Sequence, residues 1–222
     1  FDSALAGIRA LRAADVPVQI NATVASADTA ALDALAALAG ELGAEALHLF
    51  VLVPVGCGLD FARRRQLTGP ETDRVLEWIV ARQAVGGLEL KATCAPQYHR
   101  VARRWLAEHA DVDPAAAERV RSRLRGRGCL AGSGIVFVSS TGEVYPCGYL
   151  PVSCGNLRRD ALDDIWRESE VLAALRDPAR LTGRCGRCDF AATCGGCRAR
   201  AYAATGDYLA EEPTCTGWPP RD

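Results

Sequence analysis

Hydrophobic residues in the first 93 positions alternate between helical and strand spacing. Apolar residues three or four apart predict helices over 5–11 and 32–42, and alternation over 16–20 predicts a strand between them. The unbroken apolar run at 47–53 is typical of a parallel strand that is covered on both faces. A further helix then leads to a predicted strand at 88–93. This order of elements predicts an α/β fold.

The predicted sheet is incomplete, because only three strands are convincing and an open parallel edge would pair with other chains. We therefore expect the missing strands to lie upstream of this sequence. Phe1 at the start and the absence of methionine point the same way. The chain is expected to be the C-terminal part of a longer protein.

The pattern changes in the second half of the chain. Residues 99–125 are predicted to be helical and are rich in arginine, and glycines interrupt the pattern directly afterwards. Short apolar runs on either side of Thr141 and Gly142 predict a β-hairpin, and a helix is predicted around 160–175. These features predict two domains, which are residues 1–125 and residues 126–222.

Composition limits the kinds of partner that the chain can have. The formal net charge is -1, which gives no reason to expect nucleic acid or an anionic membrane. No segment reaches the roughly 18 apolar residues of a membrane helix, and the start does not resemble a secretion signal. A cytoplasmic protein is therefore expected.

The ten cysteines carry the strongest chemical signal. Cys185, Cys188, Cys194 and Cys197 form a C-x2-C-x5-C-x2-C motif, and Cys215 follows it. Without an export signal, such closely spaced pairs favour metal binding over disulfides. Thiolates suit zinc or iron–sulfur clusters, but the five-residue gap is shorter than the gap between the two knuckles of a zinc ribbon.

Two more cysteines, Cys129 and Cys147, precede this motif, and seven thiolates are better explained by two cubane clusters than by one zinc ion. Three cysteines remain. Cys57 and Cys154 are interpreted as small buried apolar residues, which is the commonest role of a lone cysteine. Cys94 could have the same role or could be a ligand.

The order of these cysteines, with Gly142 five residues before Cys147, resembles the seven-cysteine SPASM pattern of radical S-adenosylmethionine (SAM) maturases. The resemblance implies two auxiliary [4Fe-4S] clusters, one held by Cys129, Cys147 and Cys197 and the other by Cys185, Cys188, Cys194 and Cys215. The spacing between Cys194 and Cys197 is x2, where the family usually has x3. A fourth ligand of the first cluster could be Cys94, Cys154, an oxygen atom or an open iron position, and we favour Cys94.

Four longer strings narrow the resemblance: LVPVGCG at 52–58, LKATCAPQYHR at 90–100, GEVYPCGYLPVSCGN at 142–156 and CGGCRARAYAATGDYLAEEPTC at 194–215. Together they are similar to the alternative-pathway haem synthases, which are related to the haem d1 maturases. The resemblance implies the C-terminal part of a partial (β/α)6 radical SAM barrel, followed by a small cysteine-rich SPASM domain with a β-hairpin.

The activity implied by this resemblance is the oxidative decarboxylation of two propionates of iron-coproporphyrin III to vinyl groups. In that family, reductive cleavage of SAM gives a 5'-deoxyadenosyl radical that removes a propionate hydrogen. Loss of carbon dioxide then leaves one electron, which an auxiliary cluster could accept. The catalytic cluster needs a C-x3-C-x2-C motif, which does not occur in this sequence and is expected upstream. A low-potential donor such as ferredoxin or flavodoxin is the expected electron source.

Several polar residues are candidates for binding the cofactor or substrate. Arg198 and Arg200, with Arg100, could clamp carboxylates, because a guanidinium binds a carboxylate through two parallel hydrogen bonds. A solvated basic face is the alternative for these arginines. Asn21 and Thr23 are placed at a strand end, where they could contact SAM or simply be satisfied polar groups.

Two other functions remain open on the sequence alone. Within the same class, the chain could belong to a peptide maturase or a haem d1 biosynthesis enzyme. In a different class, it could be a zinc- or iron–sulfur-binding interaction or electron-transfer module. Metal content separates the second alternative from the radical SAM interpretation.

Overall fold

The computed structural model describes residues 1–56 and 58–217 and contains two small sheets. The first sheet is parallel and contains β1 (Gln19–Val24), β2 (Ala46–Val51) and β3 (Glu89–Thr93) in that order. The α/β organisation predicted for the first half is therefore confirmed. Cys57, predicted to be a buried apolar residue, lies outside the described residues.

The strand boundaries differ from the prediction in two places. Strand β1 begins three residues after Val16 and continues to Val24. Strand β2 ends at Val51, although the apolar run continues to Val53. Val53 leaves the sheet and packs against the second half of the chain, beside Leu150. The apolar run is longer than the strand because it serves two separate cores.

The described part of the chain has ten α-helices. They are α1 (Asp2–Ala13), α2 (Thr29–Glu41), α3 (Gly58–Arg65), α4 (Gly69–Val85), α5 (Tyr98–Glu108), α6 (Pro114–Ser122), α7 (Leu162–Glu168), α8 (Glu170–Arg176), α9 (Gly183–Gly186) and α10 (Arg198–Thr205). The helical segments predicted at 99–125 and 160–175 are each divided into two helices. Asp113 caps α6 by accepting a hydrogen bond from the Ala116 amide at 3.0 Å, so a new helix begins there.

Helix α4 forms the main cover of the parallel sheet. It begins with a capping box, in which the Thr68 hydroxyl accepts from the Glu71 amide at 3.4 Å and the Glu71 carboxylate accepts from the Thr68 amide at 2.8 Å. Ile79 of α4 is fully buried in the same core as Leu47 and Leu49 of β2. Alternate residues of β2 therefore point into this core.

The other face of the sheet is more polar and lines a large cavity. His48 and Phe50 of β2 are only half-buried, and the register places Lys91 beside His48 and Thr93 beside Phe50. These four residues line a cavity of about 1850 Å³ that includes space open to solvent, which we call the sheet cavity. The run predicted to be covered on both faces is therefore covered by apolar residues on only one.

The second sheet is antiparallel and contains β4 (Phe137–Val138), β5 (Glu143–Tyr145) and β6 (Gly155–Asn156). The predicted hairpin is β4 and β5. Gly142 has a φ of 85° in the turn, and its amide donates to the Ser139 carbonyl at 3.0 Å. Strand β6 was not predicted because Gly155 and Asn156 show no apolar pattern.

All strands of the first sheet precede residue 94 and all strands of the second follow residue 136. The domain boundary after residue 125 stays a prediction. Within the described ranges, no helix is both long enough and apolar enough to cross a membrane.

The packing of α4 gives a first test. Ile79→Ala should lower the free energy of unfolding by about 2–5 kcal/mol, because it removes a fully buried side chain and leaves a cavity. Val85→Ala is the matched control on the same helix, since Val85 is 74% exposed, and it should change stability by less than about 0.5 kcal/mol. Urea unfolding of both variants measures the difference, and equal effects would contradict this packing.

Candidate metal centres

Four cysteines from three separate segments line one cavity in the second half of the chain. They are Cys185, Cys188, Cys194 and Cys215, which we call the tail group. The cavity holds about 490 Å³ of space not filled by protein atoms, part of it open to solvent. The four ligands predicted for the second cluster therefore face a common space.

Each sulfur of the tail group accepts a backbone N–H. The bonds are Phe190 N to Cys188 Sγ at 3.4 Å, Gly196 N to Cys194 Sγ at 3.4 Å, Gly217 N to Cys215 Sγ at 3.4 Å and Glu212 N to Cys185 Sγ at 3.3 Å. Donors directed at sulfur favour a thiolate, which accepts hydrogen bonds more strongly than a thiol does. Hydrogen bonds to cysteine sulfur are also one of the features that set the potential of an iron–sulfur cluster. The donor set therefore fits thiolates that hold a metal cluster.

Glycine is required between Cys194 and Cys197. Gly196 has a φ of 64°, and a Cβ atom built there would lie 2.8 Å from Glu212 Cβ and 3.2 Å from Cys185 Sγ. A larger residue would push into the sulfur cavity. The two glycines of the CGGC string thus allow the chain to turn tightly beside the cysteines.

Burial raises the pKa of the Cys188, Cys194 and Cys215 thiols above the usual value. In each case loss of solvent around the charged form is the largest cause. The thiols are therefore protonated near neutral pH when no cation is bound. Metal binding must release these protons and stabilise the thiolates in their place.

A second set of cysteines lines the sheet cavity, namely Cys94, Cys129, Cys147 and Cys197, which we call the sheet group. Burial is the largest cause that raises the pKa of the Cys94 thiol to about 12, with the Cys147 and Cys129 thiols acting in the same direction and Arg200 in the opposite one. Burial likewise raises the pKa of Cys197, with contributions from Cys129 and Cys94. The four thiols are close enough to influence one another. The Tyr149 amide donates to Cys147 Sγ at 3.4 Å.

Cys94 has an unusual backbone. It directly follows β3 and has a φ of 54°, the left-handed region that residues other than glycine rarely adopt. Its carbonyl oxygen accepts from Arg200 Nη2 at 2.8 Å. Of the fourth ligands considered for the first cluster, Cys94 is thus the one that the fold brings to the other three cysteines.

Cys154 lies elsewhere. It packs at the edge of a small apolar cluster around Val144, Ile165 and Leu172 and lines neither cysteine cavity. This position agrees with its interpretation as an apolar residue. The nine described cysteines are all free of disulfides.

Within the described residues, no three His, Cys, Asp or Glu side chains are arranged to hold a single metal ion. A tetrahedral zinc site with Zn–S bonds of about 2.3 Å brings its thiolates to roughly 3.8 Å from one another. The four irons of a cubane hold their thiolates farther apart, because each iron occupies its own corner of the cluster.

A buried ion pair lies between the two cysteine groups. Arg200 and Glu212 are almost completely inaccessible, and Arg200 Nη1 donates to Glu212 Oε2 at 3.0 Å. The same carboxylate oxygen accepts from the Cys197 amide at 2.8 Å. Arg200 also donates to the carbonyl oxygens of Val51 and Leu52 at 3.1 and 3.2 Å. The pair joins the end of β2 to the sheet and tail groups.

Arg198 is also buried and bonded within the protein. Its Nη1 donates to the carbonyl oxygens of Tyr208 and Ala210 at 3.0 and 2.6 Å, and its Nη2 lies 3.6 Å from Cys185 Sγ. Neither Arg198 nor Arg200 lines a cysteine cavity. The burial of both arginines does not fit the alternative of a solvated basic face, and their predicted role in binding carboxylates stays a prediction.

Asn21 and Thr23 lie within β1 rather than at its end, which is Val24. Both are exposed, and the register places them beside His48 and Phe50, the half-buried residues that line the sheet cavity. Their proposed contact with SAM stays a prediction.

Glu212 was missed in the sequence, although it stands in the EEPTC string directly before Cys215. Nothing local distinguishes it from Glu211, which is partly exposed and pairs with Arg184 at 3.1 Å. The partner of Glu212 lies twelve residues earlier, and its burial depends on tertiary packing.

The ion pair gives a second test, with neighbouring glutamates as matched variants. Glu212→Gln should lower the free energy of unfolding by about 3–5 kcal/mol, because it leaves the buried charge of Arg200 without a counterion. Glu211→Gln should cost less than about 1 kcal/mol, since its pair with Arg184 is exposed. Urea unfolding compares the two variants, and a Glu212 effect as small as that of Glu211 would argue against the bridge.

Residues 129–189 match the family model of the SPASM iron–sulfur cluster-binding domain. The chain is 45% identical to the "AdoMet-dependent heme synthase" of Methanosarcina barkeri, over 97% of this chain and 60% of that protein. It is 40% identical to the protein of the same name from Nitratidesulfovibrio vulgaris, over 100% of this chain and 59% of that protein. The "Pre-heme d1 synthase" of Dinoroseobacter shibae is 29% identical, over 97% of this chain and 55% of that protein.

The chain spans about 60% of the length of the first two of these relatives. The similarity extends on both sides of the matched domain, across both cysteine groups. Together, the matched domain and the identity over nearly the whole chain show a SPASM iron–sulfur cluster-binding domain in a chain similar to AdoMet-dependent haem synthases, which fits the radical SAM/SPASM family.

Proposed function

We propose that this chain is the auxiliary-cluster portion of a radical SAM enzyme that decarboxylates propionates of iron-coproporphyrin III to vinyl groups. The observation that carries this proposal is the division of eight cysteines between two cavities, with a backbone N–H directed at each sulfur of the tail group. Two separate cages fit an enzyme that must move single electrons.

In this proposal, the tail group holds one [4Fe-4S] cluster and the sheet group holds the other. Cys94 then completes the second cage, although it precedes the matched SPASM residues. Its position after β3 and its strained backbone support this role. Both clusters supply reversible one-electron acceptors when they are bound.

The parallel sheet supports the proposed partial (β/α)6 barrel. Its apolar face is covered by helices, whereas the face that carries Asn21, His48 and Lys91 is more polar and borders the sheet cavity. In a barrel, this polar face would line the interior. Ligands bind there at the carboxyl ends of the strands. SAM and its catalytic cluster would be held with the remainder of the longer protein, and the proposed division into domains follows residue 125.

The protein's own residues would organise the electron path. The Glu212 amide bonds to a tail-group sulfur and its carboxylate bonds to the amide of Cys197 in the sheet group. Arg200 anchors this carboxylate to the strand ends. Both cages are thereby fixed to the end of the sheet where the substrate would bind, so an electron released at the substrate has an acceptor nearby.

The stronger identity to the haem synthases favours an iron porphyrin over the substrates of the haem d1 or peptide branches. A low-potential donor such as ferredoxin or flavodoxin would supply the electron for the reductive cleavage of SAM. We place the enzyme in the cytoplasm, where thiols remain reduced.

Metal analysis with cysteine variants tests the two cages. Anaerobically reconstituted protein should contain about eight iron and eight sulfide per chain, as two cubanes require. Cys188→Ala and Cys94→Ala should each lose up to half of the iron, because each removes one ligand from a different cage. Cys154→Ala is the matched control and should keep all of it. Stoichiometric zinc without sulfide would instead support the zinc-module alternative.

Turnover tests the substrate. The longer protein, supplied anaerobically with SAM, a reductant and iron-coproporphyrin III, should form haem, which chromatography detects. Cys188→Ala should still cleave SAM but should lose most haem formation, since its electron acceptor is damaged. SAM cleavage by the unaltered protein without haem would favour the peptide or haem d1 branch.

A further inference from the structure

Two buried polar side chains at the start of helix α5 line the cavity that contains the tail group, which we call the tail cavity. Arg100 is 3% exposed and Gln97, the residue before α5, is 1% exposed, and both line the cavity with the four cysteines. Among the described residues, Arg100 Nε and Gln97 Oε1 find no hydrogen-bond partner. Unpaired polar atoms are rare at such burial, because each costs free energy unless something occupies the cavity.

Arg100 is held in this position from the opposite side. Its Nη2 donates to the buried Asp73 carboxylate of α4. Thr216, the residue after Cys215, donates its hydroxyl to the other Asp73 oxygen at 2.7 Å. Arg104 lies 4.0 Å from the same carboxylate, towards solvent. Asp73 therefore orients both the guanidinium and the segment that carries Cys215.

The guanidinium of Arg100 also interacts with a sulfur of the tail group. Burial lowers the pKa of Arg100, but the bond to Asp73 and the nearby Cys215 sulfur together raise it above the usual value. Arg100 is therefore a fixed positive charge at the wall of this cavity, and its own side chain is shielded from bulk water. Charges act more strongly there than at the surface.

We propose that Arg100 sets the reduction potential of the cluster held by the tail group, and that Asp73 moderates its effect. This inference rests on the proposed function, since it requires a cluster in that cavity. Reduction adds one negative charge to the cluster. The positive guanidinium and its free Nε–H stabilise the reduced form and raise the potential, whereas the Asp73 carboxylate lowers it.

The competing explanation is a purely structural role for the ion pair of Arg100 and Asp73. In that case Arg100 would serve only to neutralise Asp73, and removing either residue would change stability without a signed effect on the cluster. Arg100 lines the cavity with the four sulfurs, and its buried Nε is unpaired because the ion pair does not use that atom. Both observations favour the electrostatic role.

The test is a redox titration followed by electron paramagnetic resonance, on anaerobically reconstituted protein. A Cys147→Ala background removes a sheet-group ligand, so the tail-group signal can be followed alone. Asp73→Asn should raise the midpoint potential, and Arg100→Gln should lower it. Each shift should change the reduced-to-oxidised ratio at least tenfold, which is about 59 mV for one electron.

Arg82→Gln is the matched control, because it removes the same charge from an exposed position nine residues beyond Asp73 on α4. It should leave the potential unchanged. Iron and sulfide content is measured for every variant. If Arg100→Gln loses its cluster, Asp73→Asn alone decides, since it retains both the arginine and the hydrogen-bonding shape of the acid.

Unchanged potentials in variants that keep their iron would overturn this inference and leave the proposed function standing. Shifts in the same direction for both variants would also overturn it, because opposite charges must act with opposite sign. Absence of iron and sulfide from the unaltered protein would instead defeat the proposed function itself.

Discussion

The buried pair of Arg200 and Glu212 is the interaction on which the arrangement of both cysteine groups depends. A charge pair with almost no access to solvent is stable only when its remaining donors and acceptors are satisfied. Here those partners are the carbonyl oxygens at the ends of β2 and β3 and the amide of Cys197. The requirement to satisfy one guanidinium therefore fixes where the cysteine-rich half meets the parallel sheet.

The cysteine spacing alone indicated metal binding, whereas the membership of the tail group followed from the resemblance to the SPASM pattern. Spacing alone would have grouped Cys194 with Cys197, which the fold places at different cavities. The roles of the two arginines at the start of α10 were harder to predict. Arg198 and Arg200 suggested carboxylate clamps because a guanidinium binds a carboxylate through two hydrogen bonds, yet the fold uses both to bind internal carbonyl oxygens. No local pattern distinguishes a buried arginine from an exposed one.

The parallel strands and α4 were predictable for a different reason. Their periodicity and the Thr68 cap are properties of neighbouring residues, and local interactions determine them. The pairing of Arg100 with Asp73, by contrast, joins helices that are separate in the sequence. Such contacts arise only once α4 and α5 have packed, and charged residues in an arginine-rich segment give no sign of their partners.

The CGGC string places Cys194 in the tail group and Cys197 in the sheet group. Three residues of extended chain span at most about 11 Å, so the two cages are joined by a very short covalent tether. Clusters bound at both would be neighbours whose separation this tether limits, whatever the motion of the rest of the molecule. The two clusters could then exchange electrons directly, so an electron that reaches either one could be shared with the other.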